Sequence, residues 1–269
     1  MSGVPVEAVA AAYGLGEPVG PAVYAARGEL GRIWRLDTRR GSWAVKELLV
    51  PVREEDARAD VAFQVAAAEA GVRLPRPVLT GGGDVVAGGR WRVYAWVDLV
   101  EGAQVTAGEL GAVTAGLHRV GHPAAGPVAA WFAEPVGRGA DITPENVRRA
   151  TDGGIVVLDW ENCGPASSAW ELAEVLADLP EGAEGQAYRA YRDAGGPGRV
   201  TVAADFSMAV AEQGHLLEFY ARRAMNPEES EENRTRAGAR LRAMLARPLT
   251  RARIERLLKE CARVSALAG

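Results

Sequence analysis

The stretch that decides the fold is DITPENVRRATDGGIVVLDW, Asp141–Trp160. Within it, Ile155–Leu158 is a short apolar run typical of a buried strand, and the Asp-Gly dipeptide at 152–153 favours a hairpin turn before it. The run ends at Asp159. A carboxylate at the end of a buried strand is costly unless it meets a cation or a cap, so we expect a functional aspartate there.

The residues ahead of that strand have two interpretations. Asp141 and Asn146 stand five apart, which suits a loop that carries a proton acceptor and a metal ligand. The alternative is a helix start, with Thr143 as N-cap, Pro144 at the first position and Glu145 in the first turn. The loop is favoured because Asn146 is followed by a strand, a turn and a second strand that ends in Asp159.

Outward from this stretch, the first hundred residues predict mainly strands and the remainder mainly helix. Lys46 lies in a segment rich in Val, Ile, Trp and Tyr, and the region 54–70 predicts a helix that Gly71 and the following prolines end. The pattern changes near Val97, so two lobes are expected, 1–97 and 98–269. Strands are expected at 21–26, 32–38, 42–48 and 90–97, and further helices at 6–13, 107–120 and through 169–267.

Composition excludes several classes of protein. The chain has 269 residues, a net charge of −4 and two cysteines. The apolar runs are shorter than the roughly 18 residues that a membrane span needs, and the N-terminus lacks the pattern of an export signal. The arginines are scattered, which argues against nucleic-acid binding. We expect a cytoplasmic protein with small-molecule partners.

Four polar residues match the needs of phosphoryl transfer. The reaction requires a fixed cation for phosphate oxygens, a divalent metal and a carboxylate that orients the attacking hydroxyl. Lys46 supplies the cation, Asn146 and Asp159 offer hard oxygen ligands to Mg²⁺, and Asp141 is the candidate base.

These residues lie in motifs that resemble the aminoglycoside phosphotransferase and choline-kinase-like family, relatives of the protein kinases. The resemblance covers roughly 28–176 and depends on the order of several weak motifs, none of which is a Walker-type phosphate loop. The matching pieces are SWAVKELLV, LGAVTAGLHRV, ADITPENV, VVLDWENCGP and WELAEVL.

The resemblance implies an α+β, protein-kinase-like two-lobe fold, with a small antiparallel-sheet N-lobe and a mainly helical C-lobe. It implies ATP between the lobes, with adenine against the connector at Val97 and Leu99 and phosphates on Lys46. Gly28 and Gly31 are either phosphate contacts or an ordinary turn. The implied activity is ATP- and Mg²⁺-dependent phosphorylation of a hydroxyl on a small molecule such as an antibiotic, which the helical lobe selects.

Two departures from the family pattern support an alternative. The position two before Asp141, usually histidine, is Gly139, and only 22 residues separate His118 from Asp141. A pseudokinase that binds nucleotide or ligand without transfer is therefore the second hypothesis. A helical interaction module that binds no nucleotide is the third. Oligomeric state is not indicated by the sequence.

Other residues have a functional and a structural interpretation. Asp60 or Gln64 is expected to occupy the place of the helix acid that pairs with Lys46 in kinase-like folds. His118 is expected to be structural, and Glu171 a capping or hydrogen-bonding acid. The acids between 228 and 232 are either a helix start, which is favoured, or a wall that attracts a cationic acceptor. Trp160 and Trp170 are most simply core, although both flank the expected site.

Overall fold

The structure is a computed structural model that describes residues 3–28, 31–120, 142–143, 145–161 and 167–267. These residues divide into two units. The first takes its described residues mainly from Met1–Val105 and Glu145–Cys163, and the second mainly from Thr106–Arg119 and Gly164–Gly269. The lobe limits 1–97 and 98–269 stay a sequence-based prediction.

A five-stranded antiparallel sheet forms the centre of the first unit, in the order β1-β2-β3-β5-β4. Its β2–β3 hairpin runs in unbroken register from Gly31 opposite Leu48 to Thr38 opposite Gly41. The three strands predicted around Lys46 are therefore confirmed, with shifts of up to two residues at their ends. The strands are β1 Val23–Arg27, β2 Gly31–Thr38, β3 Gly41–Leu48, β4 Pro77–Val78 and β5 Trp91–Ala95.

One face of this sheet is closed by α1, Val6–Ala12, and the turn that follows it. Tyr13 is buried here; its hydroxyl donates to the carbonyl of Val85 at 2.8 Å and accepts from the amide of Ala87 at 3.0 Å. Leu36, on β2, is fully buried in the same cluster. Burial of this apolar cluster fixes the sheet on which Lys46 stands.

The helix predicted after β3 is α2, Glu54–Glu69, and Gly71 follows it with φ +91°. A positive φ is readily adopted by glycine, which explains why the helix ends there. The buried positions Ala57, Asp60, Gln64 and Ala67 recur at helical spacing and so share one face. Two of those four are polar, so this helix buries hydrogen-bonding groups as well as carbon.

The decisive stretch forms a two-stranded hairpin in the first unit, β6 Val147–Arg149 and β7 Ile155–Val157. The helix-start interpretation of Thr143 to Glu145 is wrong, because Glu145 and Asn146 form a turn that leads directly into β6. The predicted Asp-Gly turn is present, and Gly153 adopts φ +86° there. The connector after β5 pairs with this hairpin through an isolated bridge between Leu99 and Ala150.

The second unit is helical. Its first helix, α3, Ala107–His118, begins with a capping box in which Thr106 and Glu109 satisfy each other's backbone amides. Gly111 allows α3 to approach α5 closely, because a Cβ there would lie 2.1 Å from the carbonyl oxygen of Ala187. The other helices are α4 Ser168–Asp178, α5 Glu184–Asp193, α6 Ser207–Met225, α7 Glu231–Ala246 and α8 Arg251–Leu267.

Among the residues that the structure describes, none of the helices is long and apolar enough to cross a membrane.

Candidate functional site

Lys46 is the centre of a charged cluster in the first unit. It lies on β3, and its side chain is only 10% exposed. The Nζ atom donates to Oδ1 of Asp159 at 3.0 Å and also contacts Oε2 of Glu161. Burial by itself lowers the pKa of this ammonium, but Glu161 and Asp159 outweigh burial, so the pKa of Lys46 lies above its ordinary value.

Asp159 stands just after β7 and adopts φ +57°, a left-handed conformation that aspartate tolerates better than most residues. Its side chain is 47% exposed, so one side of the carboxylate faces solvent while the other meets Lys46. Burial acts to raise the pKa of this carboxyl, but Lys46 outweighs that effect, and the pKa lies below its ordinary value. The group is therefore an anion at neutral pH.

Asn146 lies beside Asp159 in the hairpin. Val147 pairs with Val157, and the amide of Leu158 donates to the carbonyl of Asn146 at 2.8 Å. In an antiparallel ladder this register puts Asn146 opposite Leu158, one position from Asp159. The hairpin therefore brings the backbones of Asn146 and Asp159 close together, and metal binding by their side chains stays a prediction.

Glu161 is a site residue that the sequence analysis did not single out. It is buried, contacts Lys46 through one carboxylate oxygen, and accepts from the Tyr94 hydroxyl at 3.3 Å through the other. The available signal was an acid two positions after Asp159 in the same motif. Burial raises the pKa of Tyr94 well above its ordinary value even though Arg92 opposes the shift, so Tyr94 stays a neutral donor.

The expected pairing between α2 and Lys46 is not observed. Among the described residues, Lys46 pairs with Asp159 and Glu161, whereas Asp60 lies 3.4 Å from Arg92. Gln64 is fully buried, and neither atom of its side-chain amide has a hydrogen-bond partner in the described chain. The physical reason is that Arg92 faces α2 and pairs with Asp60, the acid that was expected to pair with Lys46.

The two glycines differ in their surroundings. A Cβ on Gly31 would lie 2.6 Å from Cε of Lys46 and 3.1 Å from the carbonyl oxygen of Glu47, so only glycine leaves room for the lysine stem. Among the described residues, which leave out 29 and 30, the nearest atom to a Cβ on Gly28 is the carbonyl oxygen of Gly31, at 3.9 Å. The structure thus gives Gly31 a packing role beside Lys46, and a phosphate contact at either glycine stays a prediction.

The connector residues are half-buried. Val97 lies just after β5, and Leu99 pairs with Ala150. The amide of Val100 donates to the carbonyl of Arg149 at 2.8 Å, which ties the connector to the β6–β7 hairpin within the first unit. Adenine contacts at Val97 and Leu99 stay a prediction. Asp141 and Gly139 lie outside the described residues.

In the second unit, His118 has the structural surroundings that the sequence suggested. Its Nδ1 lies 2.8 Å from the hydroxyl of Tyr191 and its Nε2 lies 2.9 Å from Oε2 of Glu171, with all three side chains largely buried. Glu171 is therefore a hydrogen-bonding acid. The imidazole joins α3 to α4 and α5.

The acidic run and Trp160 also have structural roles. Glu231 and Glu232 lie in the first turn of α7, after Ser230 as N-cap, and Glu229 pairs with Arg223 at 2.9 Å. The helix-start interpretation accounts for these acids.

Trp160 is buried, and its indole nitrogen donates to the carbonyl of Val157 at 3.0 Å.

The structure has the fold of small-molecule phosphotransferases. Spectinomycin phosphotransferase, solved with ADP and spectinomycin, matches with a TM-score of 0.68 at 11% identity, over 97% of each chain. Choline kinase from Streptococcus pneumoniae matches at 0.58 and 11%, over 87% of this chain and 95% of that one. A microcompartment-associated aminopropanol kinase matches at 0.53 and 16%, over 92% of each.

No family model matches the sequence, and no curated protein matches it in sequence. The structural matches nevertheless define the class: the chain has the protein-kinase-like fold of the aminoglycoside phosphotransferases and choline kinases. The resemblance seen in its motifs is confirmed at the level of the fold. Identities this low leave the substrate to be proposed.

The residues present fit a magnesium–nucleotide complex. Mg²⁺ takes one or two carboxylates or amides and keeps positions for phosphate and water. Asp159 offers a half-exposed carboxylate and Asn146 lies one ladder position away. Among the described residues, Lys46 contacts Asp159 and Glu161, and the half-exposed carboxylate of Asp159 is open to solvent on one side.

Proposed function

We propose that this chain is an ATP-dependent phosphotransferase whose acceptor is a hydroxyl group on a small molecule. The observation that carries the proposal is the 3.0 Å pair between Lys46 and Asp159, on a fold shared with kinases of small molecules. The solved spectinomycin phosphotransferase holds ADP, which supports a nucleotide here.

In the proposed reaction the acceptor oxygen forms a bond to the γ-phosphorus, the bond from that phosphorus to the β–γ bridging oxygen breaks, and ADP leaves. Lys46 balances the charge on the phosphate oxygens. Asn146 and Asp159 hold Mg²⁺, which neutralises phosphate charge when bound. Asp141 orients the acceptor hydroxyl and accepts its proton; this role rests on the sequence motif.

The acceptor class follows from the relatives only in broad terms. Their names include spectinomycin, choline and aminopropanol. We propose a hydroxylated antibiotic or similar metabolite as acceptor. Glu231 and Glu232 lie in the first turn of α7 and Glu229 pairs with Arg223, so the run gives weak support for a cationic acceptor.

The pseudokinase hypothesis remains the second candidate. It is favoured by Gly139 and by the short segment before Asp141. It is also favoured by the ion pairs of Lys46, which pairs with Asp159 and Glu161 instead of with one acid from α2. Under this hypothesis nucleotide, or another ligand, binds at Lys46 and Asp159 but no phosphate is transferred.

A thermal-shift titration with ATP, Mg²⁺ and both together tests the nucleotide site. A ligand that binds only the folded state stabilises it, by about 2.7 kcal/mol at a concentration one hundred times its Kd. We expect a Mg²⁺-dependent shift in the wild type that Asp159→Ala abolishes. No shift in the wild type would contradict the phosphotransferase hypothesis and a nucleotide-binding pseudokinase, and would leave a pseudokinase that binds another ligand.

Transfer is tested by measuring phosphorylated product from a panel of hydroxylated antibiotics and amino alcohols. Asp141→Asn should keep nucleotide affinity and lose turnover. Binding without product from any acceptor, in the wild type, would favour the pseudokinase. The matched control for Asp141→Asn is Asp193→Asn, at the exposed last residue of α5. Lys259→Met, which removes the chain's other lysine at an exposed position of α8, is the control for changes at Lys46.

A further inference from the structure

Arg92 is a second buried cation beside Lys46. It lies on β5 directly opposite Lys46 in the β3–β5 ladder, and only 1% of its side chain is exposed. Residues that face each other across an antiparallel pair project from the same side of the sheet. A guanidinium this deeply buried must be neutralised by acids in contact with it.

Two acids contact Arg92 from different elements. Nη1 of Arg92 lies 3.4 Å from Oδ2 of Asp60, on α2, and 3.7 Å from Oε1 of Glu161. The other oxygen of Glu161 contacts Lys46. Glu161 therefore bridges the two cations, and the ring of Tyr94 lies 5.7 Å from the Arg92 guanidinium carbon while its hydroxyl donates to Glu161.

These contacts form a continuous chain of charges from Asp60 through Arg92 and Glu161 to Lys46. In the described part of the protein this is the route by which α2 reaches the lysine, because the direct pair is absent. Nε and Nη2 of Arg92 have no hydrogen-bond partner among the described residues. Two nitrogen atoms of the guanidinium are therefore not used by any described residue.

We propose that Arg92 is a positioning residue of the nucleotide site: it holds Glu161, and through Glu161 it fixes the Lys46 ammonium relative to α2. The inference rests on the proposed nucleotide-binding function and extends it to a residue that does not touch the nucleotide. Arginine suits this role because its charge is permanent and its planar group can hold two acids at once.

The test is calorimetric titration of the whole chain with ADP and Mg²⁺. Arg92→Met should weaken ADP binding about tenfold, within the coupling that contacting residues show. Arg92→Lys should recover part of the loss, because it keeps the charge. The matched control is Arg90→Met: Arg90 is half exposed and pairs with Glu47 on the same sheet. Because Glu47 keeps Arg32 at 3.3 Å, the loss of Arg90 should leave the affinity within about twofold.

Measuring the effect of Arg92→Met in a chain that already carries Lys46→Met separates a positioning role from general structural damage. In Lys46→Met, the further change Arg92→Met should alter ADP affinity by less than about twofold, because Arg92 acts through the lysine. An equal loss in both backgrounds would overturn the inference. So would wild-type affinity in a folded Arg92→Met variant.

If Arg92→Met does not fold, Asp60→Leu with Arg92→Met replaces the ion pair by apolar side chains, an exchange that buried pairs often tolerate. The inference predicts the same tenfold loss of ADP affinity in this double variant, and wild-type affinity would overturn it. Absence of ADP binding by the wild type would overturn the proposed function as well. ADP affinity that is unchanged by the loss of Arg92 would overturn this inference alone.

Discussion

The Lys46 ammonium and the Asp159 carboxylate meet at 3.0 Å although 113 positions separate them in the sequence. The pair joins the central sheet to the end of the β6–β7 hairpin, both in the first unit. Glu161 contacts the same ammonium, is 8% exposed, and also lies 3.7 Å from Arg92. Lys46 is therefore the cation that Asp159 and Glu161 share.

Lys46→Met should lower the free energy of unfolding at pH 7. Removing one partner of a buried pair costs about 3–5 kcal/mol, and we expect the lower end because Asp159 is half exposed. Lys46→Met with Glu161→Leu should recover part of the loss, since it removes an acid that would keep only its 3.7 Å contact with Arg92 and the hydrogen bond from Tyr94. Urea denaturation measures both. Lys259→Met is the control, and an equal loss in that variant would contradict the prediction.

The bidentate pair between Arg73 and Asp152 predicts a pH dependence at low pH. Both guanidinium–carboxylate distances are 2.6 Å, and the hydrogen bonds from Arg73 and from the amide of Gly154 lower the pKa of Asp152 to about 2. A lowered pKa means that the stabilisation is present above the ordinary value near 4 and is lost as pH falls toward 2.

Asp152→Asn should therefore be less stable than the wild type at pH 6, and the difference should shrink between pH 4 and pH 2. Urea denaturation midpoints at several pH values measure it. Because the pair is exposed, added salt should reduce the difference at pH 6. A difference that stays constant down to pH 2 would refute this assignment. Arg73→Met should behave in the same way, and the two changes should not be additive.

Much of the fold could be predicted because its signals are local. The strands around Lys46 follow from β-rich segments separated by turns, and the Asp-Gly dipeptide at 152–153 marks the hairpin that places Asn146 next to Asp159. The end of α2 follows from Gly71. In each case a few consecutive residues determine the backbone, so sequence alone was sufficient.

The pairing inside the site could not be predicted, because it depends on which residues meet across the sheet. Whether Asp60 reaches Lys46 or Arg92 is decided by the β3–β5 register, in which the two cations stand side by side. The role of Glu161 depends on the path of the chain after Asp159, whose φ of +57° turns the backbone there. Neither property is encoded in a local pattern.

Tyr191 predicts a pH dependence at the alkaline end. Its hydroxyl accepts from the amide of Gly198 at 2.7 Å and lies 2.8 Å from Nδ1 of His118. Burial raises the pKa of Tyr191 to about 12. The contribution of the neutral hydroxyl is therefore fully present below about pH 10 and is lost as pH rises toward 12.

Tyr191→Phe leaves the buried amide of Gly198 without its acceptor, which costs about 1–3 kcal/mol at pH 7. The wild type then loses stability above pH 10 more steeply than the variant does, so the two denaturation midpoints should converge. Tyr24→Phe, at a half-exposed position on β1, is the control. Midpoints of wild type and Tyr191→Phe that stay equally far apart up to pH 11 would rule out this titration.

Gly31→Ala and Gly28→Ala distinguish a packing role from a phosphate-contact role. A Cβ on Gly31 would lie 2.6 Å from Cε of Lys46, whereas the nearest described atom to a Cβ on Gly28 is 3.9 Å away. Gly31→Ala must therefore displace the lysine stem, and we expect a loss of about 1–3 kcal/mol in unfolding free energy, as for other overpacked sites. Gly28→Ala should stay within about 0.5 kcal/mol of the wild type.

The same two variants report on nucleotide binding. If glycine is needed only to seat Lys46, Gly31→Ala weakens ADP binding with Mg²⁺ and Gly28→Ala does not. If the backbone of this turn also approaches phosphates, both variants weaken it, because a methyl group at either position would stand between backbone and ligand. Calorimetric titration of ADP into each variant decides between these roles. Unchanged affinity in Gly31→Ala would show that the position of the lysine stem does not control the site.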